Sequence, residues 1–215
     1  MTQNENQTKF TTRNNINIAS RQNFFDSFHS GFNRNANIDS IAIHGSAGGA
    51  SAQALFNWWR SLEKWLTFEG DINSLSPSEK WSYDKAHRLA RGIGFYHYII
   101  DRQSEIYKAL DENKWSYHSH SGQADSQSIA ICLVNPDTKN ASIYTDEQYH
   151  SLHVLIYDIL DRHQSISKIQ SHVYRAWEFS GMTVEANGLT PCPGEKFHWE
   201  LIEIFNDRVT VQGVV

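Results

Sequence analysis

The sequence predicts an α/β protein in which helices flank a central mixed β-sheet. Short apolar runs with the alternation of strands recur along the 215 residues, and longer segments with helical periodicity lie between them. Hydrophobic residues make up 40% of the chain, which is enough for a sizeable core. Strands that alternate with long helices are typical of a three-layer domain with the sheet in the middle.

The N-terminal part differs in composition from the rest of the chain. Residues 1–38 are rich in Asn, Gln, Ser and Thr, and the aromatic cluster FFDSFHSGF interrupts them. We therefore expect a partly ordered polar arm, which this cluster attaches to the body. One domain over residues 39–215 is expected to follow the arm.

The first elements of this domain are a strand and two helices. The segment SIAIHGSAGG, residues 40–49, has apolar residues at alternate positions and predicts a half-buried strand that ends at His44. AQALFNWWRSLEKWL has the apolar spacing of an amphipathic helix. Ser76, Pro77 and Glu79 form a capping box with proline at the first helical position, which predicts the start of a second helix. Residues 50–92 are thus expected to form a helical insertion beside the cleft at the strand ends.

The remaining segments complete the sheet and its helical layers. GFYHYIIDRQSEIYKAL predicts two strands joined by a turn near Gln103, and SQSIAICLVN predicts a buried strand. YTDEQYHSLHVLIYDILDRH begins with a capping box of Thr145 and Gln148 and predicts a long helix. SISKIQ predicts a short strand that leads directly into His172, and EKFHWELIEIF predicts a last helix.

Charge and hydropathy exclude two classes of partner. The net charge of −5 and the sequence pI of about 6.1 argue against a nucleic-acid-binding protein, which is usually basic. No apolar run approaches the length of a membrane-spanning helix, and the N-terminus MTQNENQTKFTTRNN lacks the apolar core of a signal peptide. We therefore expect a monomer that is made in the cytoplasm and binds neither nucleic acid nor membrane. It would reach a target elsewhere only after release or delivery.

Three side chains stand out as candidate metal ligands. His44 and His172 each follow the C-terminal end of an apolar strand, where loops present functional side chains from a rigid scaffold. Cys192 lies between two prolines, on a stiff backbone that suits a ligand better than a core residue. Two histidines and one cysteine with a fourth position open to water would form a catalytic zinc site. Each histidine taken alone also fits a buried structural role, and Cys132 is expected to be a small buried hydrophobe.

Five segments carry, in order, the motifs of a known family. They are IAIHGSA, GIGFYHYIIDRQSEIYKAL, HSHSGQADSQSIAICLV, YTDEQYHSLHVLI and TPCPGEKF. They resemble the first-ligand strand, the GYHFII-R-DG hairpin, the SHA-G-N--SIGVCLVG block, the FT--Q---L--L helix and the CPG-F turn of the zinc-dependent N-acetylmuramoyl-L-alanine amidases (amidase type 2). These enzymes form the superfamily of phage T7 lysozyme and the peptidoglycan recognition proteins. The resemblance covers roughly residues 40–205 and implies that superfamily's fold.

The resemblance implies a zinc cofactor, a substrate and a reaction. It places the zinc ligands at His44, His172 and Cys192. The substrate would be bacterial peptidoglycan, cleaved at the amide between the lactyl group of N-acetylmuramic acid and L-alanine. Such a bacteriolytic enzyme would act on the cell wall, and a phage endolysin released by a holin fits a chain of this kind.

Three further positions acquire expected roles from the resemblance. Tyr96 falls at the family's active-site tyrosine, Thr190 at the position of a transition-state donor, and His120 where a histidine lines the substrate cleft. Tyr96 would otherwise pack on the sheet, and His120 would otherwise be an ordinary loop residue. The phage enzyme has lysine in place of Thr190, and the segment between His172 and Cys192 is longer than usual. Residues 173–191 are therefore expected to form an extra loop over the cleft.

Alternatives to this function remain open at the level of sequence. A non-catalytic peptidoglycan-binding module would share the fold, although members that only bind usually lack a zinc ligand. A different metal hydrolase on an unrelated fold is a second alternative. An injected antibacterial effector and a cytosolic recycling enzyme are alternatives to the endolysin.

Overall fold

A mixed sheet of seven strands lies at the centre of the fold, as the sequence predicts. The computed structural model describes residues 18–20, 33–49, 51–90, 95–119, 121–137, 139–180 and 192–213. The strands are β1 (Ile18–Ser20), β2 (Ser40–Gly45), β3 (Tyr98–Ile100), β4 (Ile106–Lys108), β5 (Ser128–Leu133), β6 (Lys168–Ser171) and β7 (Thr210–Gln212). Within the described residues they are ordered β1-β4-β3-β5-β2-β6-β7.

Strand direction brings the functional residues to one edge of the sheet. Strands β3 and β4 pair antiparallel, whereas β2 pairs parallel with both β5 and β6. In this register His44 lies opposite Cys132, and Ile43 lies opposite Ser171. The carboxyl ends of parallel strands meet at the same edge, where ligands bind in open α/β sheets. His44 and the residue that follows β6, His172, are therefore neighbours.

The predicted capping boxes begin two of the helices. The backbone N–H of Ser76 donates to the Glu79 carboxylate at 2.9 Å, and the N–H of Gln148 donates to the Thr145 hydroxyl at 3.1 Å. The helices are α1 (Ala52–Ser61), α2 (Pro77–Ala90), α3 (Gly122–Gln127), α4 (Asp146–Arg162) and α5 (His172–Ser180). Helices α1 and α2 lie within the predicted insertion. Among the described residues, no helix has both the length and the apolar character that crossing a bilayer requires.

Alternating side chains of the strands supply two hydrophobic clusters on opposite faces of the sheet. Ile131 and Leu133 of β5 pack in the cluster that contains α4, whereas Cys132 between them packs in the cluster that contains α1. Leu152 and Ile156 of α4 are fully buried, and each contributes about 1.5–3 kcal/mol through removal of its side chain from water. The burial of Cys132 confirms its predicted role as a small hydrophobe.

The prediction of a helix over EKFHWELIEIF is wrong. Two separate 3₁₀ turns, Trp199–Leu201 and Glu203–Phe205, occupy this segment, and β7 follows them. Ile202 and Phe205 are both fully buried. Their three-residue spacing matches the period of a 3₁₀ helix, in which side chains three positions apart lie above one another.

The prediction of an extra loop over residues 173–191 is wrong in its first half. Helix α5 covers His172–Ser180, whereas residues 181–191 lie outside the described residues. The backbone N–H of Tyr174 donates to the Ser171 hydroxyl at 3.0 Å, so Ser171 caps the helix. Val173, Arg175 and Ala176 are buried.

Part of the N-terminal arm contacts the sheet. Strand β1 pairs with β4, and the guanidinium of Arg34 donates to the backbone carbonyls of Ser126 and Ser128 at 2.6 and 3.1 Å. The cluster FFDSFHSGF lies outside the described residues. The division into an arm of residues 1–38 and a domain of residues 39–215 stays a prediction.

Candidate metal centre

The side chains of His44, His172 and Cys192 converge at the carboxyl edge of the sheet. Their candidate ligand atoms all lie within 4.8 Å of one another, and Cys192 Sγ is 3.9 Å from His44 Nδ1. Tetrahedral zinc bonds to nitrogen and sulfur place the ligand atoms roughly 3.5 Å apart. Two imidazoles and a thiol are also the donor types that zinc prefers. The three residues therefore fit a zinc ion, and their role as its ligands stays a prediction.

The three candidate ligands come from rigid elements and differ in exposure. His44 lies near the end of β2 and is 1% exposed, whereas His172 begins α5 and is half-buried. Cys192 is 7% exposed, and its sulfur accepts a hydrogen bond from the backbone N–H of Gly45 at 3.3 Å. His172 is therefore the most exposed of the three candidate ligands.

A tight turn holds Cys192 against the strand. The Cys192–Pro193 peptide is cis, and Gly194 has a φ of +124°. A Cβ on Gly194 would lie 2.3 Å from the backbone oxygen of Asn140, so no other residue fits there without movement. The Tyr144 hydroxyl donates to the Pro193 carbonyl at 2.5 Å. Asn140 and Tyr144, which the sequence analysis does not identify, therefore position the candidate ligand.

The thiol of Cys192 is protonated at neutral pH in the absence of a cation. Burial raises its pKa to about 12, although the hydrogen bond from the Gly45 N–H acts in the opposite direction. A cysteine binds metal as the thiolate. Binding of a metal ion here would therefore release a proton.

His118 is a site residue that the sequence analysis missed. Its side chain is fully buried, and its Nδ1 lies 3.1 Å from Nε2 of His44. Burial, followed by the neighbouring imidazoles of His44 and His172, holds the pKa of His118 well below its usual value, so the ring is neutral. A neutral imidazole has one donor nitrogen and one acceptor nitrogen.

Hydrogen-bond partners assign the proton of each ring in this pair. The Ser128 hydroxyl donates to the Ala124 carbonyl at 2.6 Å, so its oxygen accepts from His118 Nε2 at 2.9 Å. His118 Nδ1 then accepts the N–H of His44 Nε2. This tautomer leaves the lone pair of His44 Nδ1 directed at the cluster, as a ligand requires.

Asp125 holds the loop that carries His118. Its Oδ1 accepts the backbone N–H groups of His118 and Ser119 at 3.1 and 2.7 Å, and the Ser119 hydroxyl at 2.7 Å. Burial raises the pKa of this carboxyl to about 6 against the effect of these hydrogen bonds. The buried aspartate thus fixes the backbone from which His118 reaches His44.

Tyr96 lies beside the cluster, whereas two other predicted site residues are not described. The ring centroids of Tyr96 and His44 are 5.1 Å apart. Burial, followed by the nearby thiols of Cys132 and Cys192, raises the pKa of Tyr96 well above its usual value. Its hydroxyl is therefore protonated, and it forms a hydrogen bond with the Cys132 thiol. Thr190 and His120 lie outside the described residues, so their expected roles stay predictions.

Solved structures of similar fold include enzymes and recognition proteins. An endolysin N-acetylmuramoyl-L-alanine amidase, LysCS from Clostridium intestinale, aligns with a TM-score of 0.52 at 17% identity over 83% of this chain and 90% of its own. An AmpD derivative gives 0.51 at 18% identity over 84% and 90%. PGRP-SA of Apis mellifera gives 0.54 at 12% identity over 86% and 94%. At identities this low, the similarity of these structures shows a shared fold alone.

The family is established by a match at the level of sequence. No curated protein sequence is significantly similar to the chain. The sequence profile of the family Amidase_2, N-acetylmuramoyl-L-alanine amidase, matches residues 34–195, well over half of the chain. This range contains all three candidate ligands. The chain therefore belongs to the Amidase_2 family of N-acetylmuramoyl-L-alanine amidases.

Proposed function

We propose that the chain is a zinc-dependent enzyme that hydrolyses the amide between N-acetylmuramic acid and L-alanine in peptidoglycan. The observation that carries this proposal is the convergence of His44, His172 and Cys192 in a member of an amidase family. A binding module of the same fold does not need all three donors. Their joint presence therefore favours the enzyme over the non-catalytic alternative.

The donor set leaves room for a catalytic centre. Three protein ligands leave the fourth tetrahedral position open, which distinguishes catalytic from structural zinc sites. When bound, Zn²⁺ supplies Lewis-acid activation of a water molecule and of the scissile carbonyl. His118 keeps His44 in the ligand tautomer, and the Tyr144 hydroxyl holds the turn of Cys192.

Tyr96 is proposed to act on the reacting carbonyl. Its ring lies beside His44 and its hydroxyl is protonated, which supports a role as hydrogen-bond donor to the oxygen that gains negative charge during hydrolysis. One such donor contributes about 3–4 kcal/mol to transition-state stabilisation. Thr190 is proposed as a second donor, and His120 as a residue that contacts the substrate.

We further propose that the enzyme is an endolysin that acts as a monomer. The similarity in fold to LysCS, an endolysin amidase, supports this setting. An enzyme of this kind reaches peptidoglycan only after release from the cell in which it is made.

Digestion of purified peptidoglycan tests the reaction directly. Mass spectrometry of the products is expected to show intact glycan strands and peptides with a free L-alanine amino terminus. A chelator should abolish their release, and added zinc should restore it. Peptidoglycan that binds the protein and stays uncleaved would instead support the binding module, and cleavage of glycosidic or peptide bonds would assign a different hydrolase.

A further inference from the structure

An aromatic pocket of about 560 Å³ opens next to the candidate metal centre. Its walls come from α1, from α2 and from residues 46–49, which follow β2. Tyr96 belongs both to this pocket and to the surroundings of His44, whose ring centroid is 5.1 Å away. A molecule bound in the pocket would therefore extend directly to the metal centre.

Two tryptophans at the pocket are unusually exposed for their size. Trp58 of α1 is 39% exposed and Trp81 of α2 is 48% exposed. Their ring centroids are 5.6 Å apart and their planes are inclined by 32°. Exposed apolar surface of this extent, beside a concave site, marks a place where a ligand binds.

Buried aromatic side chains form the inner wall of the pocket. Trp59 and Phe95 are buried, and their ring centroids are 5.5 Å apart. Trp59 also lies 6.1 Å from the ring of Tyr96. The exposed indoles and the tyrosine beside the candidate metal centre therefore line the same pocket.

The lining of the pocket is mainly apolar and aromatic, with one charged side chain. Among the described residues that line it, Lys85 alone carries a charge. Its ammonium lies 4.5 Å from the ring centroid of Phe95, 5.0 Å from that of Tyr117 and 5.3 Å from that of Trp81. The positive charge is thus directed at aromatic faces, with which it interacts favourably.

We propose that this aromatic pocket is a glycan subsite in which a pyranose ring of an N-acetylated amino sugar stacks on Trp58 and Trp81. Such a ring has one flat face of C–H groups and a polar rim, which suits indole surfaces next to the small, partly exposed residues 46–49. The inference rests on the proposed function, because the glycan strand of peptidoglycan continues from the muramic acid whose amide would lie at the metal. The subsite is built largely by the helical insertion.

Titration with a peptide-free sugar oligomer tests the subsite. The probe is a tetramer of N-acetylglucosamine, which contains no amide to L-alanine and is not a substrate for the proposed reaction. Calorimetry should show binding to the purified chain. Trp58→Ala and Trp81→Ala should each raise the dissociation constant about ten-fold or more, as expected when one stacking surface is lost.

A matched control separates this effect from general loss of surface tryptophan. Trp177 of α5 is 46% exposed and does not line the pocket, so Trp177→Ala should leave the dissociation constant unchanged. Circular dichroism of every variant checks the fold. Equal weakening in Trp177→Ala, or no change in the two pocket variants, would overturn the proposal.

The titration also distinguishes failure of the subsite from failure of the proposed function. An active amidase that does not bind the tetramer would refute the subsite alone. Conversely, tetramer binding that depends on Trp58 and Trp81 would support the subsite even if no amide were cleaved. Binding of a sugar-free stem peptide that weakens in Trp81→Ala, without binding of the tetramer, would assign the pocket to peptide and contradict the proposal.

Discussion

At the scale of single residues, the tautomer of His44 is set by His118, which is not one of the three candidate ligands. His118 accepts the N–H of His44 and donates its own N–H to the Ser128 hydroxyl. A partner of this kind fixes the tautomer and orientation of a metal-binding histidine. The site is therefore organised by groups beyond the three candidate ligands.

Replacement of His118 tests this organisation. We expect His118→Ala to weaken zinc binding about 10–100-fold, because His44 loses the acceptor that holds its ring. His118→Asn should recover part of the affinity, since its amide oxygen also accepts a hydrogen bond. Competition with a chromophoric chelator measures the affinity, and thermal unfolding of the metal-free variants checks the fold. Wild-type affinity in His118→Ala would refute the orienting role.

Replacement of Tyr96 separates catalysis from metal binding. Tyr96→Phe keeps the ring beside His44 and removes the hydroxyl. We expect kcat to fall about 10²–10³-fold, the usual loss when one oxyanion donor is removed, with the zinc content unchanged. The measurement is steady-state hydrolysis of a soluble muropeptide together with metal analysis. Wild-type kcat would assign Tyr96 to packing alone.

Residue type and motif position were enough to predict some site residues but not others. His44, His172, Cys192 and Tyr96 were predicted, and the structure places them together. The sequence analysis did not identify His118, because its contact with His44 joins positions 74 residues apart and no local pattern specifies such a pair. The role of a residue that acts through a distant partner becomes visible only in the folded chain.

At the scale of elements, the N-terminal cap of α5 lies next to a candidate metal ligand. The Ser171 hydroxyl caps the helix that His172 begins. We expect Ser171→Ala to cost about 1 kcal/mol of unfolding free energy and also to weaken zinc binding, because the first turn of α5 carries a ligand. Urea unfolding of the metal-free protein and chelator competition measure the two effects.

Thr145→Ala is the matched control for this coupling. It removes the cap of α4, a helix that carries no candidate ligand, and should cost a similar free energy. Its zinc affinity should equal that of the wild type. If both variants bound zinc equally well, α5 would not position His172 through its cap.

Elements with local signals were predicted best. Helices α2 and α4 begin where their capping boxes indicate, and β5 covers the buried run SIAICL. The three-residue strand β7 was missed because it pairs with β6, which is 42 residues away in register. The prediction of an α-helix near Trp199 is wrong because, in a short segment, the three-residue apolar spacing of a 3₁₀ helix resembles the three- to four-residue spacing of an α-helix.

At the scale of the whole molecule, one carboxylate joins three parts of the chain. Glu112, which follows β4, accepts hydrogen bonds from Tyr98 of β3 at 2.6 Å and from Arg162 of α4 at 2.9 Å. His163 Nε2 lies 2.7 Å from the same carboxylate. Burial alone would raise the pKa of Glu112, but the hydrogen bonds from Arg162, Tyr98 and His163 outweigh it and lower the pKa to about 2.

The lowered pKa of Glu112 predicts that the protein loses stability in acid. The folded-state pKa lies below the unfolded value of about 4.3, so the stabilisation is complete above that pH and disappears as pH falls toward 2. We expect Glu112→Gln to lose up to about 3 kcal/mol at pH 7, with a difference from wild type that shrinks below about pH 4.3. Urea unfolding across this range measures it. The exposed Glu69→Gln serves as control, and a difference independent of pH would refute the assignment.

The fold class followed from the alternation of strands and helices, whereas the shape of the cleft did not. The order of strands brings His44 and His172 together because β2 and β6 are parallel neighbours. The pocket between α1 and α2 depends on how the insertion packs against the sheet, and the helical periodicity of its sequence gives no orientation. The scaffold and the convergence of the three candidate ligands were therefore predictable, but the shape of the pocket was not.

Metal analysis of the purified chain and of Cys192→Ala tests the zinc site most directly. We expect one equivalent of zinc in the wild type and almost none in the variant, because two imidazoles without the thiolate bind the ion far more weakly. Circular dichroism confirms that both proteins are folded. A full equivalent of zinc retained by Cys192→Ala would show that the ion is held elsewhere, and the proposed amidase centre would have to be abandoned.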